Sequence, residues 1–287
     1  MAPRTRFYKA HREIAHFFDK SGLRVFTKQD LAEILASKAS EWNLPIQYNN
    51  KSFRKDLINF LDFKALFIDK YEVFSYKVPE YLDIFQRIKK LGFFSHYTAL
   101  RLHGLTEQTP YQVFISTARK NTVSENTISQ EAIDEAFKKI KYKTAEPIIF
   151  GKYKVFIKSV VCNDLDIETM QVNAEDYSFF VKLTNIEKTL IDAAINPEYC
   201  GGPGEVLKAF ARAKDKVSVV KIKSILKRLG YKYPYHQLIG FYMERAEFDN
   251  GKIKIIEDIP MSNEFYLTHG QNEMYSSRWR LHYPNVL

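Results

Sequence analysis

Asp164, Asp166 and Glu168 are the residues whose spacing most resembles a cation site. They follow a strand-like run over 153–161, and alternation along an extended chain puts all three on one side. A metal-dependent nuclease gathers Mg2+ on clustered carboxylate oxygens, so this trio carries the enzymatic alternative. No further ligand type stands beside it, and the stretch also reads as an acidic loop next to a strand. Glu187 and Asp192, five apart on one expected helix, point in different directions and make a poor acid–base pair. His11 and His16 have the same unhelpful spacing. His96 and His103 share a helix face two turns apart, with no Cys, Asp or Glu near enough to complete a zinc set.

The run GGPG at 201–204 invites a phosphate-loop reading. It lacks the Lys that would reach the β- and γ-phosphates, it follows a helix, and Pro203 removes one N–H, so it reads as a helix–helix connector. GxSxG, HExxH and catalytic Cys-His signatures are missing. The expectation is a protein that is not an enzyme and uses no cofactor.

Residues 49–63, NNKSFRKDLINFLDF, point to a different chemistry. Phe53, Leu57, Phe60 and Leu61 recur at the spacing of one buried helix face. Lys51, Ser52, Arg54 and Lys55 crowd the first turns, and Asn49 or Asn50 supplies the N-cap. Taken alone, this is an amphipathic helix with a solvated basic face. A cationic helix start carrying small amides can also read a nucleic-acid groove.

Composition supports an anionic partner. The chain of 287 residues has a formal charge of +9 and a pI of about 9.2. Residues 1–78 hold 14 Lys and Arg against 9 Asp and Glu, a surplus of 5 that is roughly half of the total. Cys162 and Cys200 stand outside any CxxC, which fits a reducing compartment better than a disulfide scaffold. No run approaches a membrane span, and the start MAPRTRFYKAHRE lacks the apolar core of a secretory signal. A soluble cytoplasmic protein is the expectation.

The elements around the basic helix give it a context. Residues 5–19 read as a helix closed by Ser21-Gly22, and 23–26 as a short strand. Thr27 and Asp30 form a capping box for a helix over 28–37. A polar connection over 38–47 carries Trp42 and Pro45. After the basic helix, 65–68 and 72–76 alternate about Asp69-Lys70-Tyr71 as a hairpin. Helix, small strand, helix, helix, hairpin is the order of a winged helix-turn-helix, whose second paired helix enters the major groove. On this reading Asn49, Asn50, Lys51, Ser52, Arg54 and Lys55 meet bases or phosphates, and Lys70 and Tyr71 at the wing tip meet the backbone of double-stranded DNA.

Pro79 is expected to open a second domain, so the chain divides into 1–78 and 79–287, an α+β fold overall. Helices are expected over 81–90, 95–103, 131–141, 185–196, 205–214, 218–229 and 235–246. Strands are expected over 113–116, 147–150, 153–161 and 181–183. Residues 119–127 read as a polar loop, 253–256 as strand or loop, and Thr184 with Glu187 as a second capping box. The helix over 218–229 carries Lys221, Lys223, Lys227 and Arg228 beside a full apolar stripe, and offers a rival basic surface for an acidic partner.

The stretch KLTNIEKTLIDAAINPEYCGGPGEV, 182–206, resembles the AbiEi family of type IV antitoxins. SHYTALRLHGL (95–105), LGYKYPYHQLIGFYMERA (229–246) and SRWRLHYP (277–284) are similar to other parts of that family. The resemblance implies an N-terminal winged helix-turn-helix that represses its own operon by binding inverted repeats in the promoter. It also implies a C-terminal antitoxin domain that counteracts a nucleotidyltransferase-like toxin in phage defence (abortive infection), by contact or indirectly. Some such proteins regulate transcription without a toxin partner, and the polar connection over 38–48 is longer than the family pattern.

Overall fold

Phe7, Ala10, Ile14 and Phe18 recur every three or four residues and bury one face of helix α1 (Arg6–Ser21). In the computed structural model, which describes residues 6–120, 128–138, 146–270 and 272–287, α1 leads into strand β1 (Val25–Thr27) and helix α2 (Lys28–Lys38). The capping box expected at α2 is present: Asp30 N donates to Thr27 Oγ1, and Thr27 N donates to Asp30 Oδ2. Helix α3 (Asn50–Phe60), strands β2 (Phe63–Ile68) and β3 (Tyr71–Tyr76), and the short helix α4 (Tyr81–Gln86) follow. The three strands form a sheet in the order β1-β3-β2, with Thr27 opposite Val73 and Ile68 opposite Tyr71. Phe18 meets Phe26 and Phe63 edge-on, at 5.2 and 4.8 Å between ring centres, and so joins the helices to the sheet.

The fold is mixed α+β and separates into two units. The first takes the chain up to Gly92 together with residues 148–151 and 169–182. The break expected at Pro79 therefore falls inside this unit. The physical reason is Tyr177, whose hydroxyl accepts the Glu80 N–H at 2.7 Å and donates to Asp83 at 3.4 Å. Arg24 adds an ion pair to Asp176 at 3.1 Å.

The second unit begins with strand β4 (Phe93–Phe94), helix α5 (His96–Leu102), strand β5 (Gln112–Arg119) and helix α6 (Gln130–Lys138). The expected loop over 121–127 and the end of the helix expected over 131–141 lie outside the described residues. Past β6 (Ile148–Phe150), strand β7 (Tyr153–Val161) runs parallel to β5 with Val113 opposite Val155, and β4 pairs antiparallel with β5. Strands β8 (Ile167–Asn173) and β9 (Ser178–Thr184) come next in the chain; their residues 169–182 belong to the first unit, while Leu183 at the end of β9 belongs to the second and lies beside Phe94.

Five helices then pack around one apolar core: α7 (Ile186–Ile195), α8 (Pro203–Ala213), α9 (Val219–Leu229), α10 (His236–Arg245) and α11 (Asn250–Glu257). A small sheet of β10 (Phe265–Tyr266), β11 (Met274–Ser276) and β12 (Leu281–Tyr283) closes the unit in the order β10-β12-β11. The strand or loop expected over 253–256 is helical instead. Asp249 Oδ1 accepts from Gly251 N and Lys252 N to start the helix, and Ile253 and Ile256 turn into the core. The GGPG run does connect two helices: Gly201 and Gly202 take left-handed φ of 84° and 92°, and Pro203 is the first residue of α8. Among the described residues, no helix is long and apolar enough to cross a membrane.

Candidate nucleic-acid interface

Helix α3 starts where its sequence says it should. Asn49 adopts an extended backbone and its Oδ1 accepts from Ser52 N at 2.9 Å, so this amide is the N-cap. Asn50, Lys51 and Lys55 are exposed in the first turns, while Phe53 and Leu57 are wholly buried. Ser52 is half-buried. Arg54 is half-buried too, because its guanidinium lies over the Phe74 ring at 5.9 Å. Phe60, expected on the buried face, is 38% exposed. The helix end runs past the edge of the core, and Phe60 rests on Phe7 and Tyr8 at 5.8 and 5.6 Å.

The long connection between α2 and α3 is pinned to the core. Trp42 and Leu44 are buried, and the indole stacks on Phe53 at 6.0 Å and meets Phe17 edge-on at 5.5 Å. Tyr48 donates its hydroxyl to Asp56 of α3 at 2.5 Å, and burial together with that carboxylate holds the phenol above its ordinary pKa. Trp42 fixes the buried side of α3, and Tyr48 fixes its rotation about the helix axis. Neither role was visible in a segment that reads as polar.

The hairpin tip is narrower than expected. Asp69 (φ 54°) and Lys70 form the turn, and Tyr71 already pairs with Ile68 as the first residue of β3. Lys70 is exposed and its Nζ lies 5.6 Å from the centre of the Tyr71 ring. One exposed cation therefore marks the tip, with a partly buried phenol beside it.

The acidic trio is split between a buried ion pair and solvent. Asp166 is fully buried, accepts from Asn163 N at 3.2 Å and is ion-paired with Arg228 of α9. Asp164 and Glu168 point to solvent, with Glu168 3.9 Å from His103 Nδ1. Among the described residues no group of three or more His, Cys, Asp or Glu is arranged to hold a metal ion. His103 Nε2 is 2.8 Å from the Thr184 carbonyl oxygen and His96 Nδ1 is 2.8 Å from Ser95 Oγ, so both rings serve the fold.

The second capping box is replaced by a different cap. Asn185, one residue after Thr184, accepts from Lys188 N at 2.9 Å. Thr184 instead shares a hydroxyl contact of 2.7 Å with Thr189. Glu187 turns away to accept from Ser218 N at 3.1 Å and to pair with Lys221 at 2.8 Å, fastening α7 to the start of α9. An Asn between the Thr and the helix was the available signal, since Asn caps at least as well as Thr. Lys221 and Arg228 are thus tied to Glu187 and Asp166, which removes half of the apparent basic surface of α9.

Below this cap lies a buried pair. The Lys188 side chain has no exposure and is bonded to Asp192 one turn on, whose carboxyl is held above the ordinary range by burial against the pull of the lysine. Cys200 and Cys162 are buried thiols, both pushed up by desolvation, Cys162 to about 12. Neither is poised as a nucleophile.

No protein-family profile and no curated protein matches the chain. Among solved structures, the RV2827C protein of Mycobacterium tuberculosis is similar in fold, with a TM-score of 0.58 at 11% identity. The alignment covers 95% of this chain and 90% of that one. At such low identity the likeness speaks for the fold alone.

Proposed function

We propose that the first unit is a winged helix-turn-helix that binds double-stranded DNA, and that the chain is a non-enzymatic repressor and antitoxin of the type IV, AbiEi-like kind. The observation that carries the DNA-binding half is the start of α3. A capped helix N-terminus presents Lys51 and Lys55 to solvent, in the order α1-β1-α2-α3-β2-β3, with Lys70 at the tip of the following hairpin. Helix α3 enters the major groove with Asn50, Lys51, Ser52 and Lys55 nearest the bases and phosphates. Arg54 sits at the edge of this surface, and Asn49 acts through the cap. Lys70 contacts backbone, and Tyr71 supports it. The antitoxin half rests on the resemblance of 182–206 and its companion stretches.

A gel shift on the chain's own promoter tests the DNA reading. Lys51→Ala with Lys55→Ala is the cleanest pair, since both side chains are exposed and unpaired with any carboxylate among the described residues. Every phosphate that the variant no longer neutralises makes the fall of log K with log salt shallower by about 0.9. Arg54→Ala with Lys55→Ala is expected to weaken binding as well. Unchanged affinity in a folded double variant refutes the assignment. Co-expression with a nucleotidyltransferase-like toxin encoded next to the gene tests the antitoxin half, and continued toxicity refutes it.

A further inference from the structure

A cleft of about 970 Å3 opens within the first unit, away from the exposed face of α3. Its walls are the first turn of α2, the β2–β3 hairpin, the end of α4 and strand β9. Two large aromatic side chains stand at its surface, Phe67 at 69% exposure and Phe180 at 62%. Neither is needed by the core. Phe67 lies beyond the helices that cover Phe63 and Ala65 on the same strand face. Phe180 alternates with the buried Phe179 and Val181, which puts Lys182 beside it on the open face of β9.

The charges in the cleft are unequally committed. Of its four carboxylates, Asp30 is held in the α2 capping box, Glu72 is paired with Lys28 at 2.5 Å, Glu33 accepts from Gln29 at 2.8 Å, and Asp69 is exposed at the hairpin turn with no ion pair among the described residues. Among the described residues Lys90 and Lys182 have no carboxylate partner. Arg87 reaches Asp30 only at 3.8 Å, and its buried Nε has no acceptor. Three lysines without an ion pair among the described residues, Lys70, Lys90 and Lys182, therefore stand against the single unpaired carboxylate Asp69, and a desolvated guanidinium N–H lacks the oxygen it needs.

We propose that this cleft binds single-stranded nucleic acid, with bases stacked on Phe67 and Phe180 and phosphates held by Arg87, Lys90 and Lys182. Aromatic platforms beside a cationic track are the means by which unpaired strands are held without sequence readout. A duplex cannot use these rings, because its bases already cover one another's faces. No residue of α3 lines the cleft, and Lys70 and Tyr71 at the hairpin tip are common to both surfaces.

Fluorescence anisotropy of the full chain with a labelled oligothymidylate of about 12 nucleotides, in low salt, tests the assignment. Binding is expected, weakened on the order of tenfold by Phe67→Ser and by Phe180→Ser, the range seen when one stacked base loses its aromatic partner. Promoter-duplex affinity and circular dichroism stay unchanged in both variants, since each ring is exposed. Lys51→Ala with Lys55→Ala has the opposite effect, lowering duplex affinity and leaving the oligothymidylate bound, so the two proposals fail separately. No binding of the single strand, or binding untouched by both serine substitutions, overturns the cleft assignment. Displacement of the oligothymidylate by polyglutamate as readily as by unlabelled strand also overturns it, in favour of an acidic polypeptide.

Discussion

The indole of Trp279 lies so close to Gly240 that a methyl group on the glycine would come within 2.0 Å of Cζ3. The same side of α10 holds this residue at two further points. Gln237 Nε2 donates to the Trp279 carbonyl at 2.8 Å, and Trp279 Nε1 donates to Glu244 at 2.8 Å. Positions 237, 240 and 244 are one helix stripe, so a residue near the C-terminus is locked by backbone, ring face and ring nitrogen together. Arg278 extends the lock, bonding Glu244 at 2.7 Å and Glu257 at 2.9 Å.

Gly240→Ala should therefore be among the most damaging single-methyl changes in the chain. Overpacking a rigid ring costs about 1–3 kcal/mol or more, and here the clash is with the ring itself. Urea unfolding reads the destabilisation as a lower midpoint. Trp279→Leu in the same chain should recover part of it. Two effects that simply add would mean the two positions are not coupled as described.

Removing one member of the buried Lys188–Asp192 pair leaves a charge with no partner in the core. Lys188→Ala is expected to cost about 3–5 kcal/mol, while Lys188→Met with Asp192→Leu costs less than the single change. Chemical denaturation of the three proteins settles the order. A single variant within about 1 kcal/mol of the parent would show that the pair is solvated.

Stability of the second unit should fall in mild acid. Burial, with the cations Lys188 and Lys158 nearby, lowers the pKa of His96 to about 3. An unfolded histidine takes its proton near pH 6.5, so below that pH the unfolded chain binds more protons than the folded one. The contribution of this ring is complete above pH 6.5 and drains away towards pH 3, at about 1.4 kcal/mol per pH unit. His236, lowered to about 4 mainly by burial, adds to the same slope. His96→Asn, chosen because Asn tolerates the left-handed φ of 49° at this position, should flatten the profile between pH 6 and 4. An unaltered slope would contradict the assignment.

Asn49 offers a separation of roles. Asn49→Ala removes the acceptor for Ser52 N and should destabilise α3 by about 1 kcal/mol, weakening promoter binding through the fold. Asn49→Ser restores the cap, and with it both stability and duplex affinity. Recovery of stability without affinity would instead assign this amide a direct contact with a base.

Elements whose signals lie within one turn were legible from the order of residues alone. The Thr27–Asp30 box, the Asn49 cap, the Phe53–Leu57 face and the hairpin about Asp69 all depend on residues within a few positions of one another. The basic start of α3 was legible for that reason, and so were Lys51, Lys55 and Lys70 as exposed cations. Tertiary structure decided everything that depends on a distant neighbour. Phe60 escaped the core because α3 overruns it, Arg54 settled on Phe74, and Glu187 left its expected cap for Ser218. The parallel pairing of β5 with β7, the cleft flanked by Phe67 and Phe180, and the seat of Trp279 on Gly240 have no local trace either. Periodicity tells a side chain which face of its own element it occupies, whereas burial and partnership depend on which other elements arrive there. That is why Trp42 and Tyr48, in a stretch that reads as a polar linker, turn out to orient α3.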